Sequence, residues 1–346
     1  MTAVLASDLV CAPGPLTPGW IAIEGDRIVD SGSGPPPSRA ERVDGILAPG
    51  FVDLQVNGHG TVDFSTATTD RLARADLALA RAGTTTFLPT VVSHDRARYD
   101  DLLPRLEGVG AGIHLEGPFL GGAPGAHDAA HFEMADVAWL EDLITRFPVR
   151  VVTLAPEADP DGDATRALAS RGVVVALGHS TADYDTARSA ADAGARLVTH
   201  VFNAMTPMHH RAPGLVGAAL DDARLTPTII ADLVHVHPAV LRIALRAASS
   251  IALVSDAVAE GSERRRDGVL AGSSTTLAEG VTNVVGLGFP LERAIRMATS
   301  LPADAVGLSD RGRLARGARA DVLELHSESL AVARVWRSGY EILSRS

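Results

Sequence analysis

Apolar and polar positions along this chain follow two different rhythms. In the middle, short runs rich in Val, Ile, Leu and Ala recur at 50–56, 84–90, 111–116, 150–155, 173–178, 196–201, 228–233 and 251–256. Each has the length and composition of a buried strand. Between most of them lie Ala/Leu/Arg segments with helical spacing, such as 69–82 and 181–193. Asp183 and Asp185 near the start of the latter favour a helix N-terminus. Eight strands alternating with helices predict an α/β fold, a (β/α)8 TIM-type barrel; a doubly wound open sheet is the alternative.

The chain ends read differently. Trp20-Ile21-Ala22-Ile23 and Arg27-Ile28-Val29 flank Glu24-Gly25-Asp26, a hairpin signal, and 31–38 is a Gly/Pro/Ser-rich stretch expected to be a loop. Asp321-Val322-Leu323-Glu324-Leu325 and Ala333-Arg334-Val335-Trp336 repeat the strand style, with a turn at Ser338-Gly339. Both termini are therefore expected to meet in one small β-sandwich domain. The division is 1–45 and 310–346 for that domain and 46–309 for the barrel.

Four polar islands close apolar runs: His114-Leu115-Glu116-Gly117-Pro118, Gly178-His179-Ser180, Thr199-His200-Val201-Phe202-Asn203 and Ser255-Asp256-Ala257. Barrel enzymes build their active sites at the carboxyl ends of their strands. Two imidazoles and a carboxylate converging there, Glu116, His179 and His200, make a three-ligand metal site with an open position. Asp256 is placed to act as a base beside it, or else to cap the next helix. Strand alternation points His114 the same way as Glu116, as a ligand or as a supporting residue. His235, just after the seventh run, could polarise a substrate carbonyl or be structural; His237 precedes Pro238 and should begin a helix. Asn203 and Ala204 could offer donors to an oxyanion or form a turn. Arg211 lies in a turn-rich loop, where a guanidinium either grips phosphate or is simply solvated.

Composition removes several classes. Net charge is −11 and no basic run exceeds three residues, so nucleic acid is not an expected partner. All 31 basic residues are Arg; with no Lys there is no carbamylated bridge between two metals and no Schiff base. The single Cys11 excludes an internal disulfide framework and a cysteine-based zinc site. No signal-peptide pattern and no stretch of about 20 apolar residues is apparent, so no membrane association is expected and a reducing cytoplasm is the expected location.

Together these motifs resemble the N-acetylglucosamine-6-phosphate deacetylases of the amidohydrolase superfamily. The resemblance runs from Pro49-Gly50-Phe51-Val52-Asp53 to about Leu325, and also includes Leu270-Ala271-Gly272-Ser273. It implies Glu116, His179 and His200 as ligands of one divalent metal per subunit, usually zinc, with Asp256 as the catalytic Asp. It also implies His235 as a contact to the acetyl carbonyl, and Ala126, Asn203, Ala204, Leu270 and Gly272 as substrate contacts. Arg211 is implied to reach the sugar phosphate across a homodimer interface. Where many amidohydrolases carry His-X-His, this chain has Gln55-Val56-Asn57, similar to the single-metal branch, so Gln55, Asn57 and His114 are expected to support the site. The implied reaction converts N-acetylglucosamine 6-phosphate to glucosamine 6-phosphate and acetate. Another N-acyl amino sugar such as N-acetylgalactosamine 6-phosphate, or a non-catalytic sugar-phosphate-binding barrel, is the alternative. Two departures bear on the substrate: the segment 257–269 is shorter than usual, and Gly121-Gly122-Ala123-Pro124 lacks the family's common basic residues.

Overall fold

All eight expected barrel strands are present in the computed structural model of the protein, which describes residues 3–11, 16–37, 39–248, 250–263 and 268–343. They are Phe51–Val56, Thr84–Val91, Ile113–Glu116, Val149–Leu154, Val174–Leu177, Leu197–Val198, Thr226–Ile230 and Ala252–Val254. They lie side by side in chain order. Pairing is parallel, with His114 opposite Thr90 and Val151 opposite Val174. A bridge between Val56 and Ala257 brings the far end of the eighth strand against the first, so the sheet comes close to closing on itself. Connecting helices follow the strands, the architecture of a (β/α)8 barrel.

The chain divides into two compact units. One comprises residues 1–53, 76–86 and 275–346. It holds a mixed sheet of eight strands built from both chain ends, in which Ile46–Pro49 lies between Ala3–Val10 and Val322–Leu325. Ile21, Ile28, Leu47, Leu314 and Val322 fill its core. The hairpin forms with Ile23 opposite Ile28, and Gly25 supplies the positive φ of its turn. The stretch 31–38 is not all loop: the strand Arg27–Ser33 continues through Ser31 and Gly32, which pair with Ile21 and Trp20. Gly32 is suited to that place, because a Cβ there would stand 2.9 Å from the Trp20 ring.

The other unit, residues 54–75 and 87–274, contains every candidate site residue. Here the ladder stops short of the expected strand ends. The sixth strand pairs only at Leu197–Val198, because the backbone turns left-handed at His200 (φ 30°) and Phe202 (φ 81°). The fifth and eighth strands end likewise before His179 (φ 50°) and Asp256 (φ 49°). The islands at 178–180, 199–203 and 255–257 therefore occupy residues that bend away from the sheet, whereas residues 114–116 stay in the third strand. The helix expected from 181 begins at Tyr184, capped by Asp183, which accepts from Thr186 N–H at 2.8 Å. Residues 180 and 181 are held instead by Glu157. Among the described residues no helix is long and apolar enough to cross a membrane.

Candidate metal centre and active-site cavity

Glu116 is the hub. One of its oxygens, Oε1, lies 3.0 Å from His179 Nε2 and 3.0 Å from His200 Nε2, and the two imidazole nitrogens are 3.2 Å apart. Three donor atoms from three different strand ends thus face one point, and all three residues are buried. Gln55 Nε2–H donates to the same Oε1 at 2.9 Å, which orients the carboxylate from below. His179 Nδ1–H donates to the Pro124 carbonyl at 3.2 Å, leaving Nε2 as the bare nitrogen, the usual way a ligating imidazole has its tautomer fixed. Two imidazoles and a carboxylate, convergent and buried, are a donor set that could hold a divalent cation.

Electrostatics agree with that geometry. Burial works to raise the Glu116 carboxyl, but the imidazoles of His127, His179 and His200 set against it hold it well below the usual range. Burial pushes the His179 imidazole down to about 4. Burial also opposes charge on His200, yet its bond to Glu116 raises it.

His114 takes no part as a ligand. Its Nδ1–H donates to the Leu54 carbonyl at 2.8 Å, and Nε2 accepts from Thr153 Oγ1–H at 2.7 Å. With both nitrogens used, and Thr153 bonded in turn to Thr199 at 2.7 Å, it is a buried strut under the third, fourth and sixth strands.

Asp256 stands across the centre. Its Oδ1 accepts from Asn57 Nδ2–H at 2.8 Å. Burial, reinforced by the negative charge of Glu116, pushes its carboxyl up to about 6. It does not cap the following helix, whose N-cap is Thr276. His235 Nδ1–H donates to Asp232 Oδ2 at 2.7 Å, which leaves Nε2 available. Asp232 also accepts from the backbone of Val234 and His235, so the short loop after the seventh strand is folded around this carboxylate.

A cavity of about 680 Å³ opens over these groups. Ala126, Asn203, Ala204, His235, Leu270 and Gly272 all line it, together with Asn57, Glu116, His179, His200 and Asp256. Gly272 is required where it stands: a Cβ would meet Asp256 O at 2.6 Å and Val258 Cγ1 at 2.5 Å. Both flanks of the short 257–269 segment, Ala257–Ala259 side and Gly268–Leu270 side, reach the cavity. They are drawn together by Ala271 N–H to Glu263 O and Val258 N–H to Ser273 O. Its charged part, residues 264–267, lies outside the described residues. Arg211 differs from the other candidates: it is exposed, bonded to His210 Nε2 at 2.7 Å, and does not line the cavity. His237 caps the helix Pro238–Ala247, accepting from Ala239 N–H.

Two residues of the site escaped sequence reasoning. Asp232 could have been found from its three-residue spacing to His235. His127 could not, since it lies in an irregular loop eleven residues beyond Glu116. Its Nε2 is 3.6 Å from Glu116 Oε2, and its ring packs edge-on against His179 at 4.4 Å. Glu116, His127 and His179 also form a cluster compact enough for a cation. The tautomer argues against His127 as a ligand. Ser93 N–H donates to its Nδ1 at 3.3 Å, so in the neutral ring the proton sits on Nε2. That nitrogen faces Glu116 as a donor, whereas His179 and His200 present their nitrogens to each other and to Oε1.

A barrel with acid, base and imidazole ligands gathered at its strand ends is the architecture of a metal-dependent hydrolase. The sequence pattern of the amidohydrolase family matches residues 46–340, and the chain belongs to that family. Over 338 residues it is 37% identical to the N-acetylglucosamine-6-phosphate deacetylase of Bos taurus, covering 85% of this chain and 82% of that one. It is 36% identical, over 88% of this chain and 89% of the relative, to an N-acetylgalactosamine-6-phosphate deacetylase of Escherichia coli O157:H7. Among solved structures, the N-acetyl-D-glucosamine-6-phosphate deacetylase of Mycobacterium smegmatis in complex with N-acetyl-D-glucosamine-6-phosphate superposes with a TM-score of 0.93. It is 34% identical and covers 99% of this chain and 100% of that one.

Proposed function

We propose that this chain is a deacetylase that converts N-acetylglucosamine 6-phosphate to glucosamine 6-phosphate and acetate. The observation that carries the reading is the convergence of Glu116, His179 and His200 beneath a cavity that Asp256 and His235 also line. Glu116, His179 and His200 would hold one divalent cation per subunit, zinc on the chemistry of the donors. When bound, it supplies Lewis acidity that acidifies water and polarises the acyl carbonyl.

The chain's own groups do the rest. Asp256 Oδ1 is engaged by Asn57, so Oδ2 is the oxygen free to take a proton from the attacking water. Its carboxyl, pushed up to about 6, holds that proton long enough to deliver it to the sugar nitrogen as the C–N bond breaks. His235, held by Asp232 through Nδ1–H, turns Nε2 toward the cavity, where it would contact the acyl carbonyl oxygen as negative charge develops. Asn203, Ala204, Leu270, Gly272 and Ala126 shape the sugar pocket.

Arg211 is exposed and outside its own cavity lining, which supports a homodimer in which it reaches the phosphate in the partner subunit's site. Cys11 is the one cysteine of the sequence, so no internal disulfide can form, which supports a reducing, cytoplasmic location. The similarity to the N-acetylgalactosamine-6-phosphate deacetylase favours a second reading, in which the C4 epimer is the better substrate.

The test is metal analysis of the purified protein combined with acetate release from both phosphorylated epimers. One cation per chain and acetate from the gluco epimer at the higher kcat/KM are expected. A higher kcat/KM on the galacto epimer selects the second reading, and no acetate from either overturns both.

A further inference from the structure

The carboxylate of Glu157 belongs to none of the roles above, yet more hydrogen bonds meet on it than its position predicts. It follows the fourth barrel strand, behind Pro156. Its Oε2 accepts from Ser180 Oγ–H at 2.5 Å. Its Oε1 accepts from Thr181 N–H at 2.8 Å, Thr181 Oγ1–H at 3.2 Å and Gly122 N–H at 3.2 Å. Two loops therefore meet on one side chain. The first carries Gly121–Pro124, downstream of Glu116; the second begins at His179.

Both loops close on His179 as well. Gly121 N–H donates to the His179 carbonyl at 2.9 Å, and the Pro124 carbonyl accepts from its Nδ1–H. The imidazole is thus fixed at both ends by a loop that Glu157 anchors. The packing leaves no slack: a Cβ on Gly121 would meet Glu157 Oε1 at 2.1 Å, and one on Gly122 would meet Thr181 Oγ1 at 2.8 Å. His179 itself sits at a φ of 50°, in the left-handed region that residues other than glycine adopt infrequently.

We propose that Glu157 is a positioning residue for the cation site: it ties the Gly121–Pro124 loop to Ser180–Thr181 and so holds His179 in ligating orientation. This rests on the reading of Glu116, His179 and His200 as ligands. Glu157 never touches substrate; it acts through the Pro124 carbonyl and the His179 backbone. Partners of this kind change metal affinity or activity by roughly 10–100-fold when removed.

The experiment is a Co²⁺ titration of metal-stripped protein, read by visible absorption, with thermal unfolding of the stripped protein alongside. Glu157→Ala should weaken Co²⁺ binding roughly 10–100-fold and alter the d–d spectrum, while unfolding moves little. Glu157→Gln keeps an acceptor for Thr181 and Gly122 and should stay within about threefold of wild type, a rescue that fixes the effect on hydrogen bonding. Wild-type affinity and spectrum in Glu157→Ala would overturn the proposal. Should that variant fail to fold, Ser180→Ala removes the 2.5 Å bond to Glu157, together with the one the hydroxyl accepts from Ala182 N–H, and should still weaken binding severalfold; an unchanged affinity there overturns it equally. If wild type itself binds no cation, the ligand reading falls, an outcome distinct from wild-type binding that Glu157 does not influence.

Discussion

The two kinds of group at the barrel mouth are built in opposite ways. Glu116, His179 and His200 come from strand ends, are buried, and stand within 3.2 Å of one another. Arg211 rides on an exposed loop, with its guanidinium against His210 rather than over the cavity. Burial makes the first group expensive to rearrange, because each displaced polar atom would lose a partner in a place water cannot reach. The loop carries no such penalty. On the proposed reading, the groups that work on the acyl bond are held in place by the fold, and the phosphate contact assigned to Arg211 falls to an exposed side chain.

Breaking the buried side should have the largest effect. Glu116→Gln removes the charge on which both imidazoles converge, and turnover should fall by about 10³-fold or more with loss of bound cation, read by metal analysis. A variant that kept stoichiometric metal and half its activity would dissolve the contrast. Asp256→Asn comes next: bound metal should persist while kcat drops by about 10²–10⁴-fold. In wild type, kcat/KM should decline as pH falls through about 6, where Asp256 takes up its proton, and the profile should lose that limb in the variant.

The sign for stability runs the other way. The Asp256 carboxyl titrates higher in the folded chain than its ordinary 3.8, so its contribution is fully present below that value and is lost as pH rises through about 6. Metal-stripped Asp256→Asn should therefore unfold at higher denaturant than wild type at pH 8, by on the order of 2 kcal/mol, with the gain shrinking below pH 6. The smallest effect belongs to the loop. Arg211→Ala should raise KM for the 6-phosphate roughly 10–100-fold, as loss of a charge-assisted contact does, and leave the non-phosphorylated sugar nearly unchanged. Equal losses on both would take phosphate recognition away from Arg211.

The same contrast governs what could be read from the sequence. Strand-end residues announce themselves: a short apolar run closed by a polar island places Glu116, His179, His200 and Asp256 at one rim. The hairpin and the alternation of strands and helices were legible for the same reason, since local patterning and turn chemistry agree there. His127 and Glu157 were not. Their importance comes from where loops fold back, and irregular backbone has no period to betray it. Boundaries shifted where a side chain outbid the ladder. Trp20 kept the strand Arg27–Ser33 going past the expected loop, and Glu157 held residues 180 and 181 out of the helix.

The left-handed backbone at His179, His200 and Asp256 decides how the site can be dissected. Asparagine, aspartate and glycine accept that region readily, whereas β-branched residues clash with their own main chain. Replacement by Val, Ile or Thr at these three positions would report twisted peptide geometry as much as missing chemistry. A mutational scan of this rim should read Asn and Gly as the clean substitutions, and should show tolerance sorted by branching rather than by polarity.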